Sequence, residues 1–114
     1  MTSQRDILLV PFPFSDQSGK KVRPVLILSG EAYNQSGEDI LVCAITSNLS
    51  QNKYTIIISE ADLEMGILHE KSAIKADSIL KISKKLIIKN IGILNKSAFQ
   101  NVAVILKDIF GMQN

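Results

Sequence analysis

Three short runs in this chain, within residues 6–11 (Asp-Ile-Leu-Leu-Val-Pro), 23–28 (Arg-Pro-Val-Leu-Ile-Leu) and 40–45 (Ile-Leu-Val-Cys-Ala-Ile), are almost continuously apolar. A half-solvated strand alternates apolar and polar residues, whereas these do not, so they predict strands buried on both faces or wrapped into a small, strongly curved barrel. Turn chemistry separates them. Phe12-Pro13-Phe14 leads into the polar stretch Ser15-Asp16-Gln17-Ser18-Gly19, and Asn34-Gln35-Ser36-Gly37 breaks the chain before the third run. A fourth strand is expected over Tyr54–Ser59, which is rich in β-branched residues, and a fifth over Ser72–Ala76. Between them, Ser59 followed by Glu60, Ala61, Asp62 and Leu63 predicts a short helical turn ending near Gly66.

Leu86–Leu94 is another β-rich segment, and the clearest helix follows it. Asn95 is a good N-cap, Leu94 and Phe99 stand at the two positions of a hydrophobic staple, and Gly111 suits the residue after the C-cap. Phe99, Val102, Ala103, Leu106, Ile109 and Phe110 share one stripe at helical spacing, which predicts a core-facing surface. At 114 residues the chain is expected to form a single domain over 1–114, large enough to bury a core without metal or disulfide support.

Composition excludes several classes. No apolar run is long enough to span a bilayer, so no membrane partner is expected. The polar start soon meets Pro11 and Pro13 rather than a signal-peptide apolar stretch, and the lone Cys43 can form no internal disulfide, so a cytoplasmic location is expected. With one His and one Cys there is no metal-ligand spacing, and the singly scattered glycines make no phosphate-cradling loop or dinucleotide fingerprint. His69 reads as a loop residue, and no Gly-x-Ser-x-Gly elbow supports a serine triad. Neither metal nor cofactor is expected. The net charge is only +2, but it is segregated: residues 31–70 hold seven acids against Lys53, and residues 71–96 hold seven lysines against Asp77. A lysine-rich segment is either the footprint of a polyanion or a solvated face.

Arg23 is the one charge in the second run, and it precedes Pro24. Proline keeps its predecessor extended and cannot donate to a sheet ladder, so Arg23 is expected at the mouth of a strand, where its fork of donors either binds an anion or pairs with a surface acid. Thr46-Ser47-Asn48 closes the third strand, with hydroxyls that either donate to an anion or cap a turn. Lys75 and Asp77 are two apart in an extended segment, hence expected on one face, as an acid and base or as a surface ion pair.

Together these residues resemble the PemK/MazF family of toxin endoribonucleases. The resemblance rests on residues 6–16 (Asp-Ile-Leu-Leu-Val-Pro-Phe-Pro-Phe-Ser-Asp), 22–29 (Val-Arg-Pro-Val-Leu-Ile-Leu-Ser) and 44–47 (Ala-Ile-Thr-Ser), with a weaker match at 72–77 (Ser-Ala-Ile-Lys-Ala-Asp). It implies a mainly β fold, an SH3-like β-barrel with added helices and a C-terminal helix, acting as a homodimer. It also implies cleavage of single-stranded RNA without metal, by attack of the neighbouring 2′-hydroxyl, and silencing by a cognate antitoxin. Arg23 matches the family's essential arginine and Thr46 its threonine. Asp77 matches the Asp of the Arg-x-Asp pair in the PemK-like branch, with Lys75 in place of the Arg, and RNA contacts are implied for Ser47, Lys20, Lys21 and Pro24. Arg5 stands where the family has Gly, and since arginine disfavours positive φ, the N-terminal turn is expected to be built differently. Two other functions remain open: a non-enzymatic binding toxin of the gyrase-poison type, and a catalytically dead relative that binds RNA or antitoxin.

Overall fold

A computed structural model describes residues 2–12, 21–50 and 52–112. Seven strands form one antiparallel sheet: β1 (Asp6–Phe12), β2 (Lys21–Ile27), β3 (Asp39–Thr46), β4 (Thr55–Ile58), β5 (Leu63–Gly66), β6 (Ser72–Ser83) and β7 (Lys89–Leu94). Their order across the sheet is β4-β6-β3-β2-β1-β7-β5. The expected barrel is a curled half-barrel, with the edge strands β4 and β5 joined along the chain through a 3₁₀ turn at Glu60–Asp62. Two helices complete it, α1 (Glu31–Gln35) and α2 (Lys96–Ile109).

The apolar runs are buried on both faces, as their lack of alternation requires. Ile7, Leu26, Cys43, Ile45, Ile58 and Ile74 enter one core cluster, covered by Ala98 and Val102 of α2. Their neighbours Leu8, Val10, Val25, Ile27, Ile40, Val42 and Ile82 form a second cluster, against which Leu80, Leu86 and Ile87 pack. Curling is helped by a bulge in β6: Cys43 pairs with Ile79 but Ala44 with Lys75, so residues 76–78 have no partners on β3.

Four expectations change. The fifth strand runs on from Ala76 to Ser83, because the bulge lets one long strand bend and continue pairing with β3. The break before β3 contains α1, whose Asn34 is buried: its amide donates to Ser29 O (2.9 Å), its Oδ1 accepts from the Ser29 hydroxyl, and Lys84 Nζ donates to its carbonyl and to Gly37 O. The turn after Ser59 stops at Asp62, where Ser59 N–H donates to the Asp62 carboxylate (2.8 Å), and Leu63–Gly66 is strand. Gly66, at φ +104, lies against β7 so closely that a Cβ would sit 2.3 Å from Ile91 O, and only glycine fits there. Likewise the β-rich segment begins as a 3₁₀ turn at Lys84–Leu86 before β7.

Helix α2 follows its sequence signals at both ends. Asn95 Oδ1 accepts from Ala98 N–H (2.8 Å), and Gly111 takes φ +65 while Met112 N–H donates to Lys107 O (2.8 Å), a Schellman closure. The stripe does not stay buried to its end: Phe110 is exposed, at the rim of a shallow cavity that it lines with Leu106, Leu41 and Ile79.

Arg5 reverses the expectation for the N-terminal turn. It adopts the positive φ itself, +81, so the turn keeps the glycine-type backbone despite the side chain. Its Nη1 donates to Leu94 O (2.9 Å) and Glu64 Oε1 (3.0 Å), tying the turn to β7 and β5, which offsets a strain of about 1–2 kcal/mol.

Candidate active site

Strand side chains alternate, so the face that sends Leu8, Val10, Val25, Ile27 and Val42 into the second core cluster carries Phe12, Arg23, Ala44 and Thr46 further along the same strands. There the packed core gives way to a cavity of about 240 Å³ lined by Phe12, Arg23, Pro24, Thr46 and Lys75 beside the apolar Val25, Ala44 and Leu80. Pro24 lacks an N–H, and the ladder between β2 and β3 starts one residue later, at the pair Val25 and Ala44. Continuing that register by two residues sets Arg23 across from Thr46.

Arg23 is half-buried, with Cζ 5.7 Å from the centroid of the Phe12 ring, and its guanidinium makes no hydrogen bond or ion pair with the described residues. Among the described residues its charge and five donors are therefore uncommitted. The Thr46 hydroxyl oxygen accepts from Asn48 N–H (3.1 Å), closing the turn after β3, and its proton remains available to donate. Of the two readings of that hydroxyl, turn cap and anion donor, the geometry accommodates both at once. Lys75 is half-buried between Ala44 on β3 and Thr55 on β4. Three donors converge on the cavity and no carboxylate is among its described lining residues, an arrangement that accepts an anion.

Asp77 is placed apart. It stands on the bulge, exposed, lining neither this cavity nor the next, and it forms no ion pair with Lys75 among the described residues. The expectation of a shared face assumed regular alternation, which the bulge interrupts. Asp77 does act on Cys43, whose thiol is pushed up to about 12, first by burial and then by the Asp77 charge. That thiol is inert packing.

A second cavity of about 310 Å³ lies on the opposite face, where alternation sends Leu9 and Ser47, and it shares Arg23, Pro24 and Ile45 with the first. Ser47 therefore does not join Thr46. His69 and Glu70 line this cavity from the loop after β5. His69 is on a loop, as expected, yet nothing in its sequence spacing links it to Arg23; Ile67 N–H donates to Ile91 O (3.2 Å) and brings the loop there. Lys21 is exposed at the start of β2 opposite Phe12, while Lys20 and the turn at Ser15–Gly19 lie outside the described residues. In the lysine-rich segment, Lys71, Lys81, Lys85 and Lys89 are exposed, but Lys84 is spent on α1.

Residues 3–110 match the family described as PemK-like, MazF-like toxin of type II toxin-antitoxin system. The chain belongs to this family. Solved structures carry the same fold at low identity. A mycobacterial endoribonuclease in complex with its cognate antitoxin superposes with a TM-score of 0.80 at 15% identity, covering 100% of this chain and 99% of that one. The Mycobacterium tuberculosis toxin MazF-mt6 gives 0.77 at 23% identity, over 96% of this chain and 100% of that one. MazE-MazF from Deinococcus radiodurans gives 0.79 at 19% identity, over 98% of each. No curated protein matches the sequence. Among the toxin's described residues no helix is long and apolar enough to cross a membrane, and no group of three or more His, Cys, Asp or Glu is placed to hold a metal ion.

Proposed function

We propose that this toxin cuts single-stranded RNA, sequence-specifically and without metal, at the Arg23 cavity. The observation that carries this is the guanidinium of Arg23, unpaired among the described residues, sharing one cavity with Thr46 and Lys75. In the reaction the 2′-oxygen bonds to phosphorus and the P–O5′ bond breaks, leaving a 2′,3′-cyclic phosphate and a 5′-hydroxyl. Arg23 faces the charge that grows on the phosphoryl oxygens, and Thr46 donates to one of them. Lys75 supplies the proton to O5′, and the proton of the 2′-hydroxyl leaves to solvent, because Asp77, which the family resemblance implies as the base, stands outside the cavity. Arg23 is assigned charge stabilisation because a guanidinium is too weak an acid to give up its proton. Ser47, Pro24, Lys20 and Lys21 bind the flanking RNA.

The unit of action is a cytoplasmic homodimer. Exposed Val22 and Ile67, both lining the second cavity, offer apolar surface to a second copy, which would run two Arg23 sites into one track. A cognate antitoxin with an acidic, initially disordered segment competes for that track, since its carboxylates meet donors that otherwise hold phosphates; an antitoxin complex of a protein with this fold has been solved. A gyrase-poison function leaves an uncommitted arginine–threonine–lysine cavity without a purpose.

The test is incubation of the purified chain with a long RNA in EDTA, with end-group mapping and sedimentation over a range of concentrations. Cleavage to cyclic phosphate ends by a dimer, reduced at least about hundredfold in Arg23→Ala, is expected. A folded chain that leaves RNA intact overturns the reading.

A further inference from the structure

We infer that Phe12 is the positioning residue for Arg23, holding the guanidinium over the cavity by its ring face without occupying any donor. This deepens the endoribonuclease reading and rests on it for its catalytic consequence, though not for its structural one.

An arginine at a strand end has a long side chain with many rotamers, and a catalytic geometry requires one of them to dominate. Proteins ordinarily fix such a side chain with a carboxylate. Here that solution would be self-defeating, because a bidentate carboxylate takes the same two donors and cancels the same charge that a phosphate needs. The ring attracts the cation through its quadrupole and leaves the N–H edge free. The structure shows this combination: Arg23 Cζ lies 5.7 Å from the Phe12 centroid, both residues line the same cavity, and no described acid or carbonyl pairs with the guanidinium. Sequence position explains the pairing. Val10 opposes Arg23 and Phe12 opposes Lys21, so Phe12 is the diagonal neighbour of Arg23 on the same sheet face, within reach of an aromatic side chain. The ring is 38% exposed and lies past the last buried residue of β1, Val10, so it contributes little to the core.

The experiment compares Phe12→Leu, Phe12→Tyr and Phe12→Glu with the wild-type chain by two readouts. The first is the Arg23 Nε–H resonance, assigned by its loss in Arg23→Ala, which the ring should shift upfield; Phe12→Leu abolishes that shift and Phe12→Tyr keeps it. The second is cleavage: Phe12→Leu lowers kcat about tenfold with KM and melting temperature little changed, Phe12→Tyr recovers most of the loss, and Phe12→Glu falls below Phe12→Leu because its carboxylate captures the fork. A merely space-filling residue would not rank leucine below tyrosine or glutamate below both. An Arg23 resonance unmoved in Phe12→Leu overturns the inference whether or not the chain cleaves RNA, and an unchanged kcat overturns its catalytic consequence while leaving the endoribonuclease reading in place.

Discussion

The chain has two arginines, and they are used in opposite ways. Arg5 sits in a strained backbone, at φ +81, with its guanidinium committed to Glu64 and the Leu94 carbonyl. Arg23 sits in an ordinary strand, its guanidinium against a ring and bonded to no described acceptor. The same side chain is a structural clamp where its donors are consumed by the protein, and stands ready for an anion where no described residue takes them. Charge alone does not distinguish the two; the satisfaction of the donors does.

The sharpest way to break this contrast is to remove each guanidinium in turn. Arg23→Ala is expected to lower RNA cleavage at least about hundredfold with little change in thermal stability, since no described partner is orphaned. Measured as kcat/KM and melting temperature side by side, retained cleavage would erase the distinction. Thr46→Val, which loses one neutral donor and keeps the shape, is expected to cost about tenfold in kcat/KM. If it costs as much as Arg23→Ala, the hydroxyl is more than an auxiliary donor.

Arg5→Ala should show the mirror image, cleavage per folded molecule unchanged and stability reduced by about 1–2 kcal/mol in urea titration, because the strain stays and the clamp goes. Arg5→Gly loses the same clamp but relieves the strain, so it should be the milder of the two. A larger loss in Arg5→Gly would mean that the backbone there is not strained.

The smallest effect concerns Asp6, beside Arg5 in sequence. Its carboxyl is raised from 3.8, chiefly by burial, although the Ser3 N–H it accepts opposes this. A raised value means that the folded state holds the proton more tightly than the unfolded one. Its contribution is therefore fully present below pH 3.8 and is lost as pH rises through the folded value. Subtracting the stability–pH curve of Asp6→Asn from that of the wild type should isolate this decline. A difference that grows with pH would reverse the assigned cause.

The N-cap at Asn95, the stop at Gly111 and the doubly buried strands were legible because they depend on neighbours in the chain, or on a strand's own lack of polar residues. Arg23 and Thr46 were legible through Pro24 and the end of β3, and alternation carries both to one face. Asp77 was not, because the bulge at residues 76–78 is created by pairing with β3 and leaves no mark at two-residue spacing. Helix α1 was hidden for a related reason: Asn34 reads as a turn residue until Lys84, fifty positions away, binds its carbonyl.

The sequence by itself determined the strands of the apolar runs, though not β5 or the full length of β6, that both faces of those runs need cover, and that an arginine stands at the mouth of β2, because hydrophobic pattern and proline stereochemistry act over a few residues. Only the tertiary structure decided that Phe12 lies against Arg23, that Lys75 enters the cavity while Asp77 stays outside, and that His69 reaches the other face of the same corner. Those placements follow from strand register, a bulge and the close approach at Gly66, and each is fixed by contacts between segments distant along the chain.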